Sequence, residues 1–413
     1  MRSSLLALLL ALVVGHPAAL AQELVWLEVA PMPTPRAFPA VAVLGGQIYV
    51  MGGRDASGTA LGVVERYDPA LNAWSAVAPL RRARSDAAAV ILGGRILLTG
   101  GRESDGRVTN DVEVYVPAED DWESFDDLER EREGHAAFAV GADVYVFGGA
   151  TPGGTFLADA EYYDGAEEEW YEYPEWVLTT PRAAFASVPQ ANGVLLFGGF
   201  STFGVLASAE FYLPNQGGAA RAPLPEARGA LAGTGTDDVA WAIGGRNADN
   251  DVLARVDVYD RLADAWTDGI PLPSPREGAA AAVVNGVVYV FGGQDGQGAL
   301  AVTSLKLDEA PPLASEPGGP DAGLSLTLAG PNPFHAGTRL ALRLDRPAHA
   351  FVAAYDALGR RAAVLHDGPL PTGRHALVWD GTDAAGRRLP SGPYVVRAVV
   401  GASQRTLRLT LVR

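Results

Sequence analysis

The chain has 413 residues, a formal net charge of −17 at pH 7 and no cysteine. The absence of cysteine excludes disulfides, a thiol nucleophile, cysteine metal sites and thioether attachment of haem. Lys306 is the only lysine, which disfavours Schiff-base chemistry. The acidic balance disfavours nucleic acid as a partner, because its phosphates would be repelled.

The first 21 residues have the organisation of a secretory signal peptide. Arg2 precedes an apolar run over residues 5–14, and the small-residue pattern Ala19–Ala21 follows. We expect cleavage after Ala21 and export of the mature chain. A membrane anchor is the weaker alternative, because the run has about ten residues and a spanning helix needs about 20. No later stretch is long enough to span a bilayer, so the sequence predicts no transmembrane segment.

A Gly-Gly pair follows a short apolar run six times along the chain. The second glycines of these pairs are Gly53, Gly101, Gly149, Gly199, Gly245 and Gly293. Successive pairs are therefore 48, 48, 50, 46 and 48 residues apart. A constant period of this length indicates an array of similar structural units.

Two aromatic residues recur in register with the glycine pairs. A tyrosine follows the pair at nearly constant spacing, at Tyr67, Tyr115, Tyr163, Tyr212 and Tyr259. A tryptophan follows seven residues after the tyrosine in four units, at Trp74, Trp122, Trp170 and Trp266. Turn residues separate the apolar runs, so each unit is predicted to contain four short strands.

These markers resemble the kelch repeat, in which Gly-Gly follows a hydrophobic strand and Tyr and Trp come later at fixed offsets. The resemblance covers residues 24–307. It implies an all-β fold, a β-propeller whose four-stranded blades surround a central channel. The glycines would allow a sharp turn near the crowded axis, and the aromatic side chains would fill the space between blades.

The two ends of the array predict six blades and a closed ring. The sixth unit has Leu307 at the tyrosine position and no tryptophan. Trp26, however, precedes Arg36 by ten residues, the same interval that separates Trp74 from Arg84. We therefore expect the segment near residues 24–29 to supply the outer strand of the last blade, within a six-bladed propeller over residues 22–307.

A second domain follows a predicted linker. Residues 308–323 are rich in Pro, Gly and Ala, which is typical of a linker. Residues 324–413 contain short alternating strands, which predict one small immunoglobulin-like β-sandwich. This segment has 12 Arg and 5 Asp, a net charge of +7, while residues 22–323 have 19 basic and 44 acidic residues.

The C-terminal segment also resembles two known kinds of domain. PNPF at 331–334, YDALGR at 355–360, WDGTDAAG at 379–386 and SGPYVVR at 391–397 carry the resemblance. They resemble the sorting domain of bacterial type IX secretion and the related immunoglobulin-like domain of the flagellar hook-cap protein. The resemblance implies that residues 324–413 engage the type IX secretion machinery and that the protein is secreted or held at the cell surface. An accessory sandwich without a sorting role is the alternative.

Two sets of arginines are candidate ligand-binding residues. The first set precedes the inner strand of each unit, at Arg36, Arg84, Arg132, Arg182, Arg228 and Arg276. The second set directly follows the glycine pair in three units, at Arg54, Arg102 and Arg246. In kelch domains that bind acidic peptides, arginines at these two places lie on the binding face. The resemblance therefore implies a ring of arginines at one mouth of the channel that grips carboxylates or acidic glycans.

The first set has a structural alternative. Acidic residues recur two residues before each tyrosine, at Glu65, Glu113, Glu161, Glu210 and Asp257, and could neutralise arginines of an adjacent blade. A residue that repeats in every unit usually serves the repeat itself. The second set is uneven around the ring, which makes it the better candidate for ligand binding.

The favoured function is a non-enzymatic, exported interaction protein that binds a protein or carbohydrate ligand through propeller loops, without a cofactor or metal. The alternative is an enzyme similar to sialic-acid mutarotases and epimerases, which some exported bacterial kelch propellers resemble. Arg54 or Arg102 would then hold the sugar carboxylate, with Glu103 or Glu131 as the base. A carboxylate of raised pKa beside an unpaired arginine in a concave pocket would favour the enzyme.

Overall fold

The computed structural model describes residues 24–173, 177–191, 193–213, 216–309, 324–355, 361–383, 386–400 and 403–412. The predicted signal peptide and all but two residues of the predicted linker lie outside the described residues. All regular elements of the described part are strands, and it contains no helix that is long and apolar enough to cross a membrane. The chain divides into two compact units, one over residues 24–310 and one that contains the C-terminal residues.

The first unit contains six antiparallel sheets of four strands each, which we call blades 1 to 6. Blade 1 has strands Ala40–Leu44, Gln47–Met51, Val64–Asp68 and Ala73–Ala76. Blade 2 has Ala88–Leu92, Arg95–Thr99, Val112–Val116 and Asp121–Ser124. Blade 3 has Ala136–Val140, Asp143–Phe147, Ala160–Asp164 and Glu169–Tyr173.

The remaining three blades have the same order of strands from the channel outward. Blade 4 has Ala186–Gln190, Gly193–Phe197, Ala209–Leu213 and Gly217–Arg221. Blade 5 has Ala232–Gly235, Val239–Ile243, Val256–Asp260 and Ala265–Asp268. Blade 6 has Ala280–Val284, Val287–Phe291, Ser304–Glu309 and Leu24–Val29. The innermost strands of consecutive blades are neighbours, including those of blades 6 and 1, so the six-bladed propeller is closed as predicted.

The N-terminal strand completes blade 6. Leu24–Val29 pairs antiparallel with Ser304–Glu309 along its whole length. The indole of Trp26 donates a hydrogen bond to the carbonyl of Ile270 at 2.9 Å. The other repeat tryptophans donate in the same way to carbonyls 44 residues earlier. This confirms the prediction from the interval between Trp26 and Arg36, and the propeller strand ends at Glu309, two residues beyond the predicted position 307.

The glycine pairs end the second strand of each blade at a crowded place. In blade 1, Gly52 and Gly53 have φ of 59° and 93°, a backbone conformation that L side chains rarely adopt. A Cβ atom on Gly52 would collide with the carbonyl oxygen of Arg84, which belongs to the next repeat. The preceding strand Gln47–Met51 is almost fully buried, so the chain must turn sharply here. The predicted role of the glycines is therefore confirmed.

The C-terminal unit is a two-sheet sandwich. One sheet has the strand order Leu324–Leu328, Thr338–Leu344, Gly373–Trp379. The other has the order Arg361–Leu370, Ala348–Tyr355, Gly392–Val400, Ser403–Leu411. Three sequence motifs meet in its core, because Trp379 lies 5.5 Å from the ring centroid of Phe334 and 5.1 Å from that of Tyr394. The predicted immunoglobulin-like sandwich is confirmed.

Candidate functional site

The arginines that precede each inner strand are buried. Their relative exposure is 0% or 1% at all six positions, Arg36, Arg84, Arg132, Arg182, Arg228 and Arg276. The sequence predicted them at the channel mouth as ligand-binding candidates. The structure corrects this placement, because their guanidinium groups lie inside the blades and do not line the mouth pocket.

Five of these arginines form ion pairs with the acidic residues that recur in the repeat. The pairs are Arg36–Glu65, Arg84–Glu113, Arg132–Glu161, Arg182–Glu210 and Arg228–Asp257. The structural alternative is thus confirmed, although each carboxylate belongs to the blade that its arginine leads into and not to an adjacent one. A buried charge requires such a partner, since an isolated ion loses its hydration without compensation.

The same arginines also connect the repeat markers. The Nη1 atom of Arg132 donates to the carbonyl of Gly148, the first glycine of the pair in blade 3, at 2.8 Å. Arg36 donates equivalently to Gly52 at 3.1 Å. Arginine, glycine pair and carboxylate therefore form one buried hydrogen-bonded unit, which explains why they recur at constant spacing.

The channel mouth is formed by the residue two positions after each buried arginine. The six residues are Phe38, Asp86, Gly134, Ala184, Ala230 and Gly278, and all have φ between 50° and 59°. Each backbone N–H donates to the carbonyl of the preceding member, at 2.6 to 3.1 Å, and Phe38 donates to Gly278. The result is a closed circle of six hydrogen bonds. Four members are not glycine, so the circle imposes a conformation that L residues otherwise avoid.

These residues surround a small pocket at one end of the central channel. The pocket has a volume of about 130 Å³ and is lined by the hydrogen-bonded circle and by the residue that follows each of its members. It lies above the channel, whose volume is about 540 Å³ and whose wall consists mainly of Ala and Val from the innermost strands. Polar or charged contacts with a ligand at this end of the channel must therefore come from side chains around the mouth.

Arg54, Arg102 and Arg246 pair through the backbone with Ala37, Ser85 and Gly229, each of which directly precedes a member of the circle. We call these three the mouth arginines, and two of them have their guanidinium groups occupied. Arg102 donates to Glu133 through Nε at 2.6 Å and also through Nη2, and its Nη1 donates to the carbonyl of Gly106 at 2.8 Å. Arg246 donates to both carboxylate oxygens of Glu277, at 2.7 and 2.5 Å. The hydrogen bond with Glu133 raises the pKa of Arg102. Both guanidinium groups therefore bind a glutamate that lies 31 residues later in the chain.

Arg54 differs, because Ser85 stands 31 residues later where the other two arginines have a glutamate. The guanidinium carbon of Arg54 lies 3.8 Å from the ring centroid of Phe38, a stacked cation–π arrangement. Among the described residues, Arg54 forms no ion pair and its Nη atoms donate no hydrogen bond, while its Nε is buried without a partner. It is a rigidly positioned arginine whose outer edge can receive a carboxylate.

Asp86 is the ionisable member of the mouth circle. Its Oδ2 atom accepts a hydrogen bond from Ser85 Oγ at 2.7 Å. Burial raises the pKa of Asp86 above its ordinary value, and the nearby charge of Arg54 and the bond from Ser85 offset this only in part. The mouth thus combines a carboxylate of raised pKa with an arginine that has no carboxylate within ion-pair distance among the described residues. Asp86 was not among the residues predicted from the sequence, although it is the only ionisable residue among the six at its repeat position.

The two glutamates proposed from the sequence as bases do not join this pair. Glu103 forms ion pairs with Arg82 at 3.3 Å and with Arg107 at 2.9 Å. Glu131 is exposed, and the mouth pocket is lined by other residues. Among the described residues, no group of three or more His, Asp and Glu side chains is arranged to hold a metal ion.

Two known families match the chain. The Kelch motif matches residues 35–81, 83–128 and 275–304, and the FlgD Ig-like domain matches residues 330–404. Kelch-like protein 34 of Homo sapiens is 44% identical over 66 residues, which are 16% of this chain and 10% of that protein. Beta-scruin of Limulus polyphemus is 33% identical over 73 residues, 18% of this chain and 8% of that protein.

The matched segments are short fractions of these relatives. Kelch-like protein 33 of Homo sapiens is 35% identical over 98 residues, 24% of this chain and 17% of that protein. The solved structure of YjhT covers 69% of this chain and 98% of its own, with a TM-score of 0.58 and 16% identity, which is a likeness of fold. The chain therefore contains kelch motifs in its propeller and a FlgD Ig-like domain in its C-terminal part.

Proposed function

We propose that this protein is an exported interaction protein whose propeller mouth binds a carboxylate-bearing ligand, a glycan or a protein segment. One observation carries the proposal: of the nine candidate arginines, Arg54 alone combines solvent access with terminal nitrogens that have no acceptor among the described residues. Kelch repeats support a role in protein interaction in general. Arg54 is stacked on Phe38 before a ligand arrives, so little side-chain entropy is lost on binding.

Binding of the full chain to an array of acidic and neutral glycans, and to acidic and neutral peptides, tests this proposal. We expect acidic ligands to be retained by the wild-type protein and lost by Arg54→Ala. The matched control is Arg102→Ala, which removes an arginine of the same set whose fork is already occupied by Glu133. Retention of acidic ligands by Arg54→Ala would overturn the assignment of the site.

A second function is favoured by Asp86. A carboxylate with raised pKa exchanges protons more readily near neutral pH, and a neighbouring arginine can hold a substrate carboxylate. In this second proposal the propeller interconverts anomers of an acidic sugar such as a sialic acid, with Arg54 as anchor and Asp86 transferring the proton of the anomeric hydroxyl. NMR exchange between anomers should then be accelerated by the wild-type protein and not by Asp86→Asn. Equal rates with both proteins would leave binding as the sole function of the mouth.

The C-terminal domain has a separate proposed role. We propose that residues 324–413 direct secretion through the type IX machinery, so that the protein reaches the cell surface or the medium. The motifs of this segment and its match to the FlgD Ig-like domain support the proposal. Deletion of residues 324–413 should retain the protein in the periplasm, as measured by cell fractionation. Unchanged secretion of the truncated protein would refute the sorting role.

A further inference from the structure

Five of the six buried arginines have a carboxylate partner. In blade 6, the residue equivalent to Glu113 and Glu161 is Leu305, which is 1% exposed. Arg276 is just as buried as the other five arginines, and no acidic side chain among the described residues lies within ion-pair distance of it. Blade 6 therefore contains a buried cation without a compensating charge.

The contacts of Arg276 are all to neutral groups. Its Nη1 donates to the carbonyls of Gly292 and Thr303, both at 3.2 Å. Its Nη2 donates to Ser274 Oγ at 3.2 Å and to Thr303 Oγ1 at 3.1 Å. In blade 4, by comparison, the equivalent Nη2 meets the carboxylate of Glu210 at 2.6 Å. Weak dipoles thus replace a full negative charge at the same repeat position.

The uncompensated charge carries an energetic cost. Burial lowers the pKa of Arg276 to about 10, whereas Glu65 opposes the same effect of burial at Arg36. Arginine remains charged at neutral pH under these conditions, so the cost is not removed by loss of a proton. A mobile anion that reaches Nη2 would provide the compensation that the carboxylates provide in the other blades.

We propose that blade 6 binds a small inorganic anion of the chloride class, held by Arg276 Nη2 together with the hydroxyls of Ser274 and Thr303. Arg276 itself is enclosed, but Ser274 is exposed and Thr303 half-buried, so the anion would approach along their hydroxyls from the propeller surface. Both hydroxyls can turn their hydrogens toward an anion, since hydroxyl groups donate as well as accept. The site makes the stability of the propeller depend on the anion, through the blade that the N-terminal strand closes.

A carboxylate supplied by mutation should replace the anion. Thr303 lies 27 residues after Arg276, and Asp111 and Asp159 lie 27 residues after Arg84 and Arg132, where each contacts its arginine. Thr303→Asp therefore copies an arrangement that the propeller already contains. Ser208→Asp in blade 4 is the matched control, because Ser208 contacts Arg182, which already pairs with Glu210.

The experiment is thermal unfolding of the full chain in sodium chloride and in sodium gluconate at constant ionic strength, with gluconate as an anion too bulky for the site. We expect chloride to raise the Tm of the wild-type protein by about 2–4 °C in a saturable manner. In gluconate, Thr303→Asp should have a higher Tm than the wild type, and chloride should not raise it further, while Ser208→Asp should respond to chloride like the wild type.

If Thr303→Asp does not fold, Leu305→Glu supplies the carboxylate instead. No saturable response in the wild type, or an equal response in the carboxylate variant, would overturn the proposal.

Discussion

The buried arginines and the mouth arginines of this propeller have the same charge and opposite roles. The buried set repeats in every blade, and its side chains are enclosed among groups of their own unit, with a carboxylate partner in five of the six blades. The mouth set occurs in three blades, and its members have different partners. The difference teaches that perfect repetition marks a residue required for the fold, while a break in the pattern marks a residue that is free to bind.

A break can occur in either set. Arg54 lacks its glutamate because Ser85 stands at the partner position, and the guanidinium is left accessible on Phe38. Arg276 lacks its glutamate because Leu305 stands there, and the guanidinium remains buried. The same kind of substitution therefore produces a ligand site at the surface and an uncompensated cation in the interior.

The largest effect is expected in the buried set. Glu65→Leu leaves Arg36 buried without its carboxylate and should destabilise the propeller by about 3–5 kcal/mol. The double variant Arg36→Met, Glu65→Leu removes both charges and should recover most of that loss. Urea unfolding followed by tryptophan fluorescence measures both values. A loss below about 1 kcal/mol for Glu65→Leu would show that the buried arginines do not depend on their carboxylates.

A buried histidine beside the mouth should make the propeller sensitive to acid. His135 is 6% exposed, and its Nε2 lies 2.8 Å from Thr99 Oγ1. Burial, and then the charge of Arg132, lowers the pKa of His135 from 6.5 to about 3. The unfolded chain therefore binds the proton first, and stability is lost as the pH falls from about 6.5 toward 3.

Replacing this histidine should remove part of the acid sensitivity. His135→Gln retains a partner for Thr99 without a titrating ring, so it should lose about 2–4 kcal/mol less than the wild type between pH 6.5 and 3.5. Urea unfolding at a series of pH values measures the difference. An equal loss of stability with falling pH in the two proteins would show that folding does not lower the pKa of His135.

Arg54 should affect binding more than stability. Arg54→Ala should weaken binding of an acidic ligand at least tenfold, about 1.4 kcal/mol, because its charge-assisted hydrogen bonds are lost. Its free energy of unfolding should change by less than about 1 kcal/mol, since among the described residues the side chain forms no ion pair and only its stacking on Phe38 is lost. Titration calorimetry and urea unfolding on the same preparation separate the two effects. Wild-type affinity of Arg54→Ala for the acidic ligand would contradict the binding role assigned to Arg54.

The smallest effect is expected at Asp86. Its raised pKa means that the folded state binds the proton more tightly than the unfolded chain, so the charged carboxylate costs stability above the ordinary carboxyl pKa. Asp86→Asn should therefore be modestly more stable at pH 7, because the cost of burying the charge is removed together with the attraction between the carboxylate and Arg54. The gain should vanish as the pH falls below about 4. A lower free energy of unfolding for Asp86→Asn than for the wild type at pH 7 would contradict this prediction.

The sequence predicts most of the fold because the fold repeats. The glycine pairs gave the number of blades, and the interval from Trp26 to Arg36 located the strand that closes the ring. The assignment of the buried arginines stayed open between two roles, because a one-dimensional pattern does not distinguish a side chain inside a blade from one on the rim. Burial decides that question, and it depends on how neighbouring blades pack.

The candidate site was predictable only in part. Arg54 was among the candidates, but its difference from Arg102 depends on the residue 31 positions later in the chain. That residue is Ser85 for Arg54 and Glu133 for Arg102. The sequence alone does not show that residues at this spacing meet, because the contact depends on how the chain folds at the mouth circle. Asp86 was missed because its position shows no regular residue type across the units. Its raised pKa arises from burial and from charges contributed by several repeats, which sequence spacing does not reveal.

The central claim is that Arg54 alone among the nine candidate arginines has a free guanidinium. Modification of the folded full chain with a 1,2-dicarbonyl reagent, followed by peptide mass spectrometry, measures this for all nine residues at once. We predict that Arg54 reacts first, that Arg102 and Arg246 react slowly, and that the six buried arginines react only after unfolding. Reaction of the buried arginines at the rate of Arg54, or protection of Arg54 in the folded protein, would contradict the account.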